Sequence, residues 1–482
     1  MILSNYEPKR VLHHFEAISQ IPRGSGNEKA VSDYIAAFAK GLGLTTLQDE
    51  YHNLVVYKPA APGYEGQPPI ILQGHLDMVC EKNTGTTHDF LADPLKLYVD
   101  GDYLKAEGTT LGADNGIAVA MCMALLEATS LAHPPIEVVL TSDEEAGMGG
   151  ALNLDMNLLK GRRLINLDSS TEGTFVAGCA SGATVEYELP AIFENPAGFT
   201  QFYKLAVKGL VGGHSGGDIH LERGNAIRIL GNLLYVMDTA AEVRIISVAG
   251  GMKVNAIPRE AEAIIAVKPA DSDKIQKAFE EIAPDMKIFF RVADPGLDMT
   301  LAAAEPVEKI LTGPCSKNLI TSLVLLPNGV ECMSREIEGL VAASSNIGVI
   351  ETFADTIKIS SMPRGKSNAH NYQTERKISA LAELVGAKSS FTQRSPAWPF
   401  NPKSDLLAML AARYKVKYGK DPKITAIHGG LECGIFGDKL PGMDTVSMGP
   451  DIHDLHTPDE RLSISSTQRV WEFLCEALRE MK

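Results

Sequence analysis

Near the start of the chain, apolar residues fall twice at helical spacing. Val11, Leu12, Phe15 and Ile18 mark one stripe over 8–20, and Val31, Tyr34, Ile35 and Phe38 mark another over 27–40, which predicts two amphipathic helices. The texture then changes. Short continuous apolar runs at 70–72, 136–140 and 164–167 are interleaved with a helical stretch over 116–128. Strands that are apolar on both faces of the pleat must be covered on both sides, so this alternation predicts a mostly parallel central sheet flanked by helices, an α/β class. The same texture returns near the end, with a helix over 404–416, an apolar run at 445–448 and a closing helix that lines up Val470, Phe473, Leu474, Ala477, Leu478 and Met481.

Between these two blocks the pattern is different. Strands at 202–207 and 264–267 alternate with helices near 224–238 and 273–282. The sheet domain is therefore expected to occupy 1–185 and 396–482, interrupted by an inserted α+β domain at 186–395. The second half of the insertion offers a comparable order, with strands near 320–326, 344–350 and 356–361 and a helix near 371–386. That order suggests an internal duplication.

At 482 residues the chain is too long for one hydrophobic core. Its 45% hydrophobic and 22% charged residues are those of a folded globular protein. A formal net charge of −15 gives a nucleic acid no electrostatic footprint to bind. Neither an apolar leader core over 1–29 nor a run of 18 apolar residues is present, so no membrane partner is expected and the cytoplasm is the expected location. Seven scattered cysteines without a C-x-x-C pair are read as reduced, mostly buried thiols.

The chemistry-bearing residues stand just after the apolar runs or in Gly-rich turns: His75-Leu-Asp77, Asp114-Asn115, Glu144-Glu145, Asp168 and His456-Thr-Pro-Asp-Glu460. Imidazole and carboxylate are ligands that Zn²⁺ accepts, and five of them from separate loops suffice for two ions sharing one carboxylate. Asp77, two positions after His75, can hold the imidazole nitrogen that faces away from a metal. The adjacent carboxylates of Glu144 and Glu145 repel unless a cation or a proton is shared. His453 competes with His456, and spacing does not choose between them.

Together these segments, with Gly212-Gly-His-Ser-Gly216 and Lys253-Val-Asn-Ala-Ile-Pro258 in the insertion, resemble the M20 family of zinc metallopeptidases, specifically its aminoacyl-histidine dipeptidase (peptidase D) group. The resemblance implies two Zn²⁺ per chain, with Co²⁺ or Mn²⁺ able to substitute. Asp114 would bridge them, His75 and Asp168 completing one site and Glu145 and His456 the other. It further implies Glu144 as general base, Asp77 as the residue orienting His75, and a cis peptide after Asp114. His214 of the inserted lid would donate to the oxyanion, while Asn255, Arg364 and the backbone of Gly429 and Gly430 would grip the substrate carboxylate. The substrate's amino terminus needs an acidic partner near the metals, for which Glu432 is the candidate.

The expected activity is hydrolysis of unblocked dipeptides, Xaa-His and β-Ala-His among them. The rivals are an amidohydrolase acting on N-acyl amino acids, a carboxypeptidase, a tripeptidase and, in another class, a non-catalytic metal-binding scaffold. Retention of Glu144 disfavours the last, because a structural zinc site needs no base. Monomer and homodimer are both open at this stage.

Overall fold

In the computed structural model, which describes residues 2–482, the apolar runs of the sequence lie side by side. Strands β1 (Thr45–Gln48), β2 (Leu54–Lys58), β3 (Ile70–His75), β4 (Ile136–Thr141), β5 (Arg163–Asn166) and β6 (Thr174–Cys179) join Lys423–Ile427 and Asp444–Ser447 in one eight-stranded sheet. Its order is β1, β2, β4, β3, β5, Asp444–Ser447, β6, Lys423–Ile427. The central pairs β4–β3, β3–β5 and β5 with Asp444–Ser447 are parallel, while β1–β2 and β2–β4 are antiparallel.

Alternation along these strands builds two cores. Leu54, Val56, Ile70, Leu72, Val138, Leu140 and Ile165 share one with helices α1 (Lys9–Ile18), α2 (Lys29–Gly41) and α3 (Ala113–Glu127) and with the closing helix Ile464–Glu480. Their neighbours Val55, Ile71, Val139 and Leu164 point the other way, against Ile435, Phe436 and Leu440. A sheet covered on both faces thus explains the unbroken apolar runs. Helix α3 is buried nearly all round, from Gly116 through Leu126, because it lies inside one of these layers rather than on its surface.

These elements belong to a first unit made of the chain up to Gly178, Trp398–Ala426 and Leu431–Lys482; a second unit holds Cys179–Ala397 and Ile427–Gly430. The second unit starts earlier than the expected 186, because strand β7 (Ser181–Pro190) pairs along its length within that unit's sheet. It also takes in a short return at 427–430 that hydrophobic patterning does not disclose.

The second unit is built on an antiparallel sheet of β7, β8 (Gln201–Lys208), β9 (Arg244–Gly250), β10 (Ala261–Val267), β11 (Asp298–Ala303), β12 (Val341–Thr352), β13 (Thr356–Gly365) and β14 (Lys388–Ser395). Its order is β11, β8, β10, β9, β12, β13, β7, β14. Read inwards from either edge, the two halves have the same plan. One half runs β8, helix α4 (Ala226–Ala240), β9, β10, helix α5 (Ser272–Phe290), β11. The other runs β7, helix α6 (Gly313–Leu325), β12, β13, helix α7 (Asn368–Val385), β14. The halves meet where β9 pairs with β12, at Ala249–Glu351 and Gly250–Ile350.

One expected strand is a helix. The segment 320–326 lies largely within α6, where buried Ser316, Leu319, Ile320 and Leu323 recur at helical spacing, and Pro314 sits in the first turn, where its missing N–H costs no hydrogen bond. Of the cysteines, Cys122, Cys179 and Cys433 are buried, Cys80 and Cys332 are exposed, and none forms a disulfide among the described residues. No helix among the described residues is long and apolar enough to cross a membrane.

The two-sided core makes a direct expectation. Leu72→Ala should leave a cavity between β3 and the helical layer, where Leu72 has no exposed surface, and lower stability by about 2–5 kcal/mol. Leu91→Ala, at a side chain 75% exposed, should change it by less than about 0.5 kcal/mol. Urea unfolding of the two variants checks both, and equal midpoints would contradict the assignment of this core.

Candidate metal centre

The parallel strands end at one edge of the sheet, and there the chemistry gathers. His75 is the last residue of β3, and Asp77 follows two positions later. Glu144 and Glu145 open the short helix Glu144–Gly147 just after β4. Asp168 lies two residues beyond β5. Asp114 sits in the non-helical first turn of α3, and its peptide bond to Asn115 is cis. His456 comes from the loop after strand Ile452–His453, in left-handed backbone with φ +62°.

The two oxygens of Asp114 face different histidines. Oδ1 is 3.1 Å from His75 Nε2 and Oδ2 is 3.4 Å from His456 Nε2. Asp168 Oδ1 approaches the same His75 nitrogen at 3.5 Å, and Glu145 Oε1 approaches His456 Nε2 at 3.2 Å. Donor atoms of His75, Asp114 and Asp168 therefore form one group, those of Asp114, Glu145 and His456 a second, and His75, Glu144 and Glu145 a third. His453 enters none of these groups; its ring lies edge-on to Tyr103 instead.

Asp77 has no exposed surface and uses both oxygens as a brace. Oδ1 accepts from His75 Nδ1 at 3.2 Å and from the Glu144 amide at 3.0 Å; Oδ2 accepts from Ser25 Oγ at 2.8 Å and the Glu145 amide at 3.1 Å. The bond to Nδ1 fixes the tautomer that turns Nε2 toward Asp114. Asn115 adds a second tie: its Oδ1 accepts from the His75 amide at 3.1 Å and its Nδ2 donates to the Leu167 carbonyl at 3.0 Å. Thus the segments carrying His75 and Asp168 are both held to the residue that follows Asp114.

Electrostatics favour a cation here. Burial, with the charge of neighbouring carboxylates added, pushes Asp168 up to about 7 and Glu144 well above the usual carboxylate range. His456 is drawn up to about 10 by its hydrogen bonds to Asp114 and Glu145. Burial works against the protonated form of His75, yet Asp168 and Asp114 outweigh it and raise this imidazole as well. Asp77 stays low, at about 2, because the hydrogen bond and charge of His75 overcome its burial. Four clustered carboxylates and two imidazoles thus share protons for want of other positive charge, and a hard or borderline divalent ion fits this donor set.

The remaining predicted residues divide between the units. In the second unit, His214 pairs with Ala256 across a two-residue ladder, Asn255 lies just before it with its carbonyl accepting from the Ser215 amide at 2.8 Å, and Arg364 Nη2 donates to Ser215 Oγ at 3.4 Å. Gly429 accepts from the Ala180 amide at 2.9 Å. A Cβ on Gly216 would lie 3.1 Å from the His214 ring and 3.3 Å from the Arg364 guanidinium, so these groups converge on one bare stretch of backbone. Sequence reasoning missed His428, a buried neighbour whose Nε2 meets Ser344 Oγ at 2.7 Å. Burial together with the nearby positive charges of Arg364 and His214 pushes it down to about 3. Glu432 belongs to the first unit, where it is wholly buried rather than open to solvent. Its Oε2 accepts from Thr141 Oγ1 at 2.7 Å and Gln73 Nε2 at 2.5 Å, whereas Oε1 has no hydrogen-bond partner among the described residues. Burial pushes this carboxyl up to about 8.

Comparison with known proteins places the chain in a family. Residues 71–480 match the model of peptidase family M20/M25/M40. The chain is 38% identical over 480 residues to the cytosol non-specific dipeptidase of Escherichia coli K12, covering 99% of both chains. Among solved structures it is similar to the aminoacylhistidine dipeptidase of Vibrio alginolyticus, with a TM-score of 0.90 and 37% identity over 100% of this chain and 98% of that one. A tripeptidase from Staphylococcus aureus shares the fold at a TM-score of 0.57 and 17% identity, covering 99% of both.

A donor set short of positive charge should be stabilised by the ion it fits. Adding Zn²⁺ to metal-free protein is expected to raise the thermal midpoint, by linkage worth about 2.7 kcal/mol at a hundredfold excess over Kd. Asp114→Ala should abolish most of that rise, because two of the three groups use this carboxylate. A midpoint indifferent to Zn²⁺ would contradict the centre.

Proposed function

The chain belongs to peptidase family M20/M25/M40, and on that premise we propose that it is a cytoplasmic di-zinc dipeptidase that hydrolyses unblocked dipeptides, Xaa-His and β-Ala-His among them. The observation that carries the reading is Asp114, each of whose oxygens faces a different histidine. His75, Asp114 and Asp168 would hold one ion and Asp114, Glu145 and His456 the other, with Co²⁺ or Mn²⁺ as substitutes. When bound, such ions supply Lewis acidity to a carbonyl and make a water acidic near neutral pH.

Glu144 then does the proton work. Its amide is pinned to Asp77, which leaves the carboxylate to take a proton from the attacking water and return it to the departing amine. Burial raises the proton affinity of this carboxyl above that of an ordinary carboxylate, and a stronger carboxylate base is better suited to take the water's proton. Asp77 keeps His75 in one tautomer throughout. The similarity to a non-specific dipeptidase and to an aminoacylhistidine dipeptidase supports the substrate class.

Both ends of a dipeptide are charged, and the reading gives each a partner. Glu432, with Oε1 unpaired, is proposed for the amino terminus. Arg364, Asn255 and the Gly429–Gly430 backbone are proposed for the carboxylate, and His214 for the charge that develops on the carbonyl oxygen. Arg364 is buried without a carboxylate partner in its own unit, and burial holds its guanidinium down at about 10; an anion is the complement it lacks. A homodimer is proposed only if mixing Glu144→Gln with His214→Ala chains restores turnover, which would show a site shared between two chains.

Glu144→Gln should retain metal and lose at least about 10²-fold in kcat; near-normal kcat with normal metal content would remove Glu144 as the base. His214→Ala should lower kcat while sparing metal content, since its partner is charge present only in the transition state; a pure KM effect would contradict that role. Substrate length is checked by kcat/KM for Gly-His, N-acetyl-Gly-His and a tripeptide extended at the carboxyl end. The free dipeptide should be preferred, because acetylation removes the charge that Glu432 would meet. Preference for the acetylated compound would indicate an amidohydrolase, and preference for the tripeptide a tripeptidase.

A further inference from the structure

Two buried charged residues outside the ligand set grip the loop that carries Asp114 from opposite sides. Glu460, 2% exposed, accepts from four consecutive backbone amides: Leu111 at 2.8 Å and Gly112 at 2.9 Å on Oε2, Ala113 at 2.8 Å and Asp114 at 3.3 Å on Oε1. Those N–H groups precede or begin α3 and have no helical partner, so a carboxylate is the natural acceptor for them. Glu460 is also four residues after His456, and its own amide donates to the Thr457 carbonyl at 3.1 Å. The His456 loop and the Asp114 loop are thereby one hydrogen-bonded body.

Arg23, 1% exposed, works from the other side. Nη1 donates to the carbonyls of Leu76 at 2.9 Å and Asp77 at 3.0 Å, and Nη2 donates to the Gly112 carbonyl. Gly112 has φ +66°, and a Cβ there would stand 2.6 Å from Nη2 and 2.7 Å from Met78 Sδ; only glycine lets the guanidinium in. Arg23 therefore fixes the segment after His75 to the segment before Asp114, and Glu460 fixes Asp114 to the segment after His456.

We infer that Glu460 and Arg23 are positioning residues that set the place of the Asp114 carboxylate between His75 and His456, and so the ability of the chain to hold two ions rather than one. The inference rests on the di-metal reading above. Neither residue has a ligand atom in the donor groups, so their effect passes through the backbone of the Asp114 loop.

The decisive comparison is metal stoichiometry and affinity by isothermal titration of Zn²⁺ and Co²⁺ into metal-free wild type and Glu460→Gln. The amide keeps the size but turns an N–H₂ group toward two backbone donors. Wild type should take two ions per chain. The variant should lose affinity for at least one of them by about 10- to 100-fold, the range for residues that orient metal ligands, with an altered Co²⁺ visible spectrum. Its kcat should fall at fixed metal and recover in part with excess ion, while KM stays put. Arg23→Lys should shift the same affinity, since one ammonium cannot reach both segments as the guanidinium fork does. Two ions bound with wild-type affinity and spectrum in Glu460→Gln, whatever its thermal midpoint, would overturn the inference while leaving the di-metal reading intact. A wild type that binds no second ion would overturn that reading itself, and the inference with it. If Glu460→Gln does not fold, Glu460→Asp, which keeps the charge but withdraws it by one methylene, decides by the same titration, with unchanged affinity again counting against the inference.

Discussion

Carboxylates do not crowd together inside a protein without a reason, and the organisation of the first unit follows from the fact that four of them do. Asp114, Glu144, Glu145 and Asp168 converge with His75 and His456 at one edge of the sheet. Each negative charge raises the cost of the next, and burial raises the cost of all. With protein groups alone the cluster settles by drawing both imidazoles up and leaving Asp168 and Glu144 ready to keep protons. Divalent cations answer the same imbalance with more charge in less space. The requirement for that charge, more than any single ligand, connects the fold to hydrolysis.

The rest of the first unit serves to hold this unfavourable arrangement in place. Parallel strands buried on both faces bring β3, β4 and β5 to a common edge, so their following residues must meet there. Fine placement falls to buried polar groups that hydrogen-bond mostly to backbone. Asp77 ties His75 to the Glu144–Glu145 turn, and Asn115 ties His75 to Leu167. Arg23 and Glu460 bracket the loop that precedes Asp114. Every loop that carries one of these side chains is thus joined to another by at least one buried hydrogen bond, which is how side chains from distant parts of the sequence keep a fixed separation.

Much of this was legible from residue order because both determinants are local. A strand covered on both faces must be apolar throughout, and site residues gather where such strands stop; the runs 70–72, 136–140 and 164–167, followed by His75, Glu144 and Asp168, fit both rules. His456 against His453 is not decidable by spacing, since the two are three residues apart; in the structure it is His456, in left-handed backbone, whose ring meets Asp114 and Glu145. Glu460 shows in the sequence only as the end of the His456 segment and Arg23 does not show at all: their partners are backbone atoms, which carry no sequence mark. The duplication in the second unit was faint for a topological reason. Strand β7 of one half is separated from its helix α6 by the whole of the other half, so no tandem period exists to be read, and the segment 320–326 reads as a strand in isolation because its helical stripe begins upstream at Ser316.

The most direct measurement of the central claim is a crystal structure of the zinc-loaded protein with anomalous data collected on both sides of the zinc absorption edge. The account requires two zinc peaks, one among His75, Asp114 and Asp168 and one among Asp114, Glu145 and His456, with an Asp114 oxygen on each. A single peak, or a second ion held by His453 in place of His456, would contradict it.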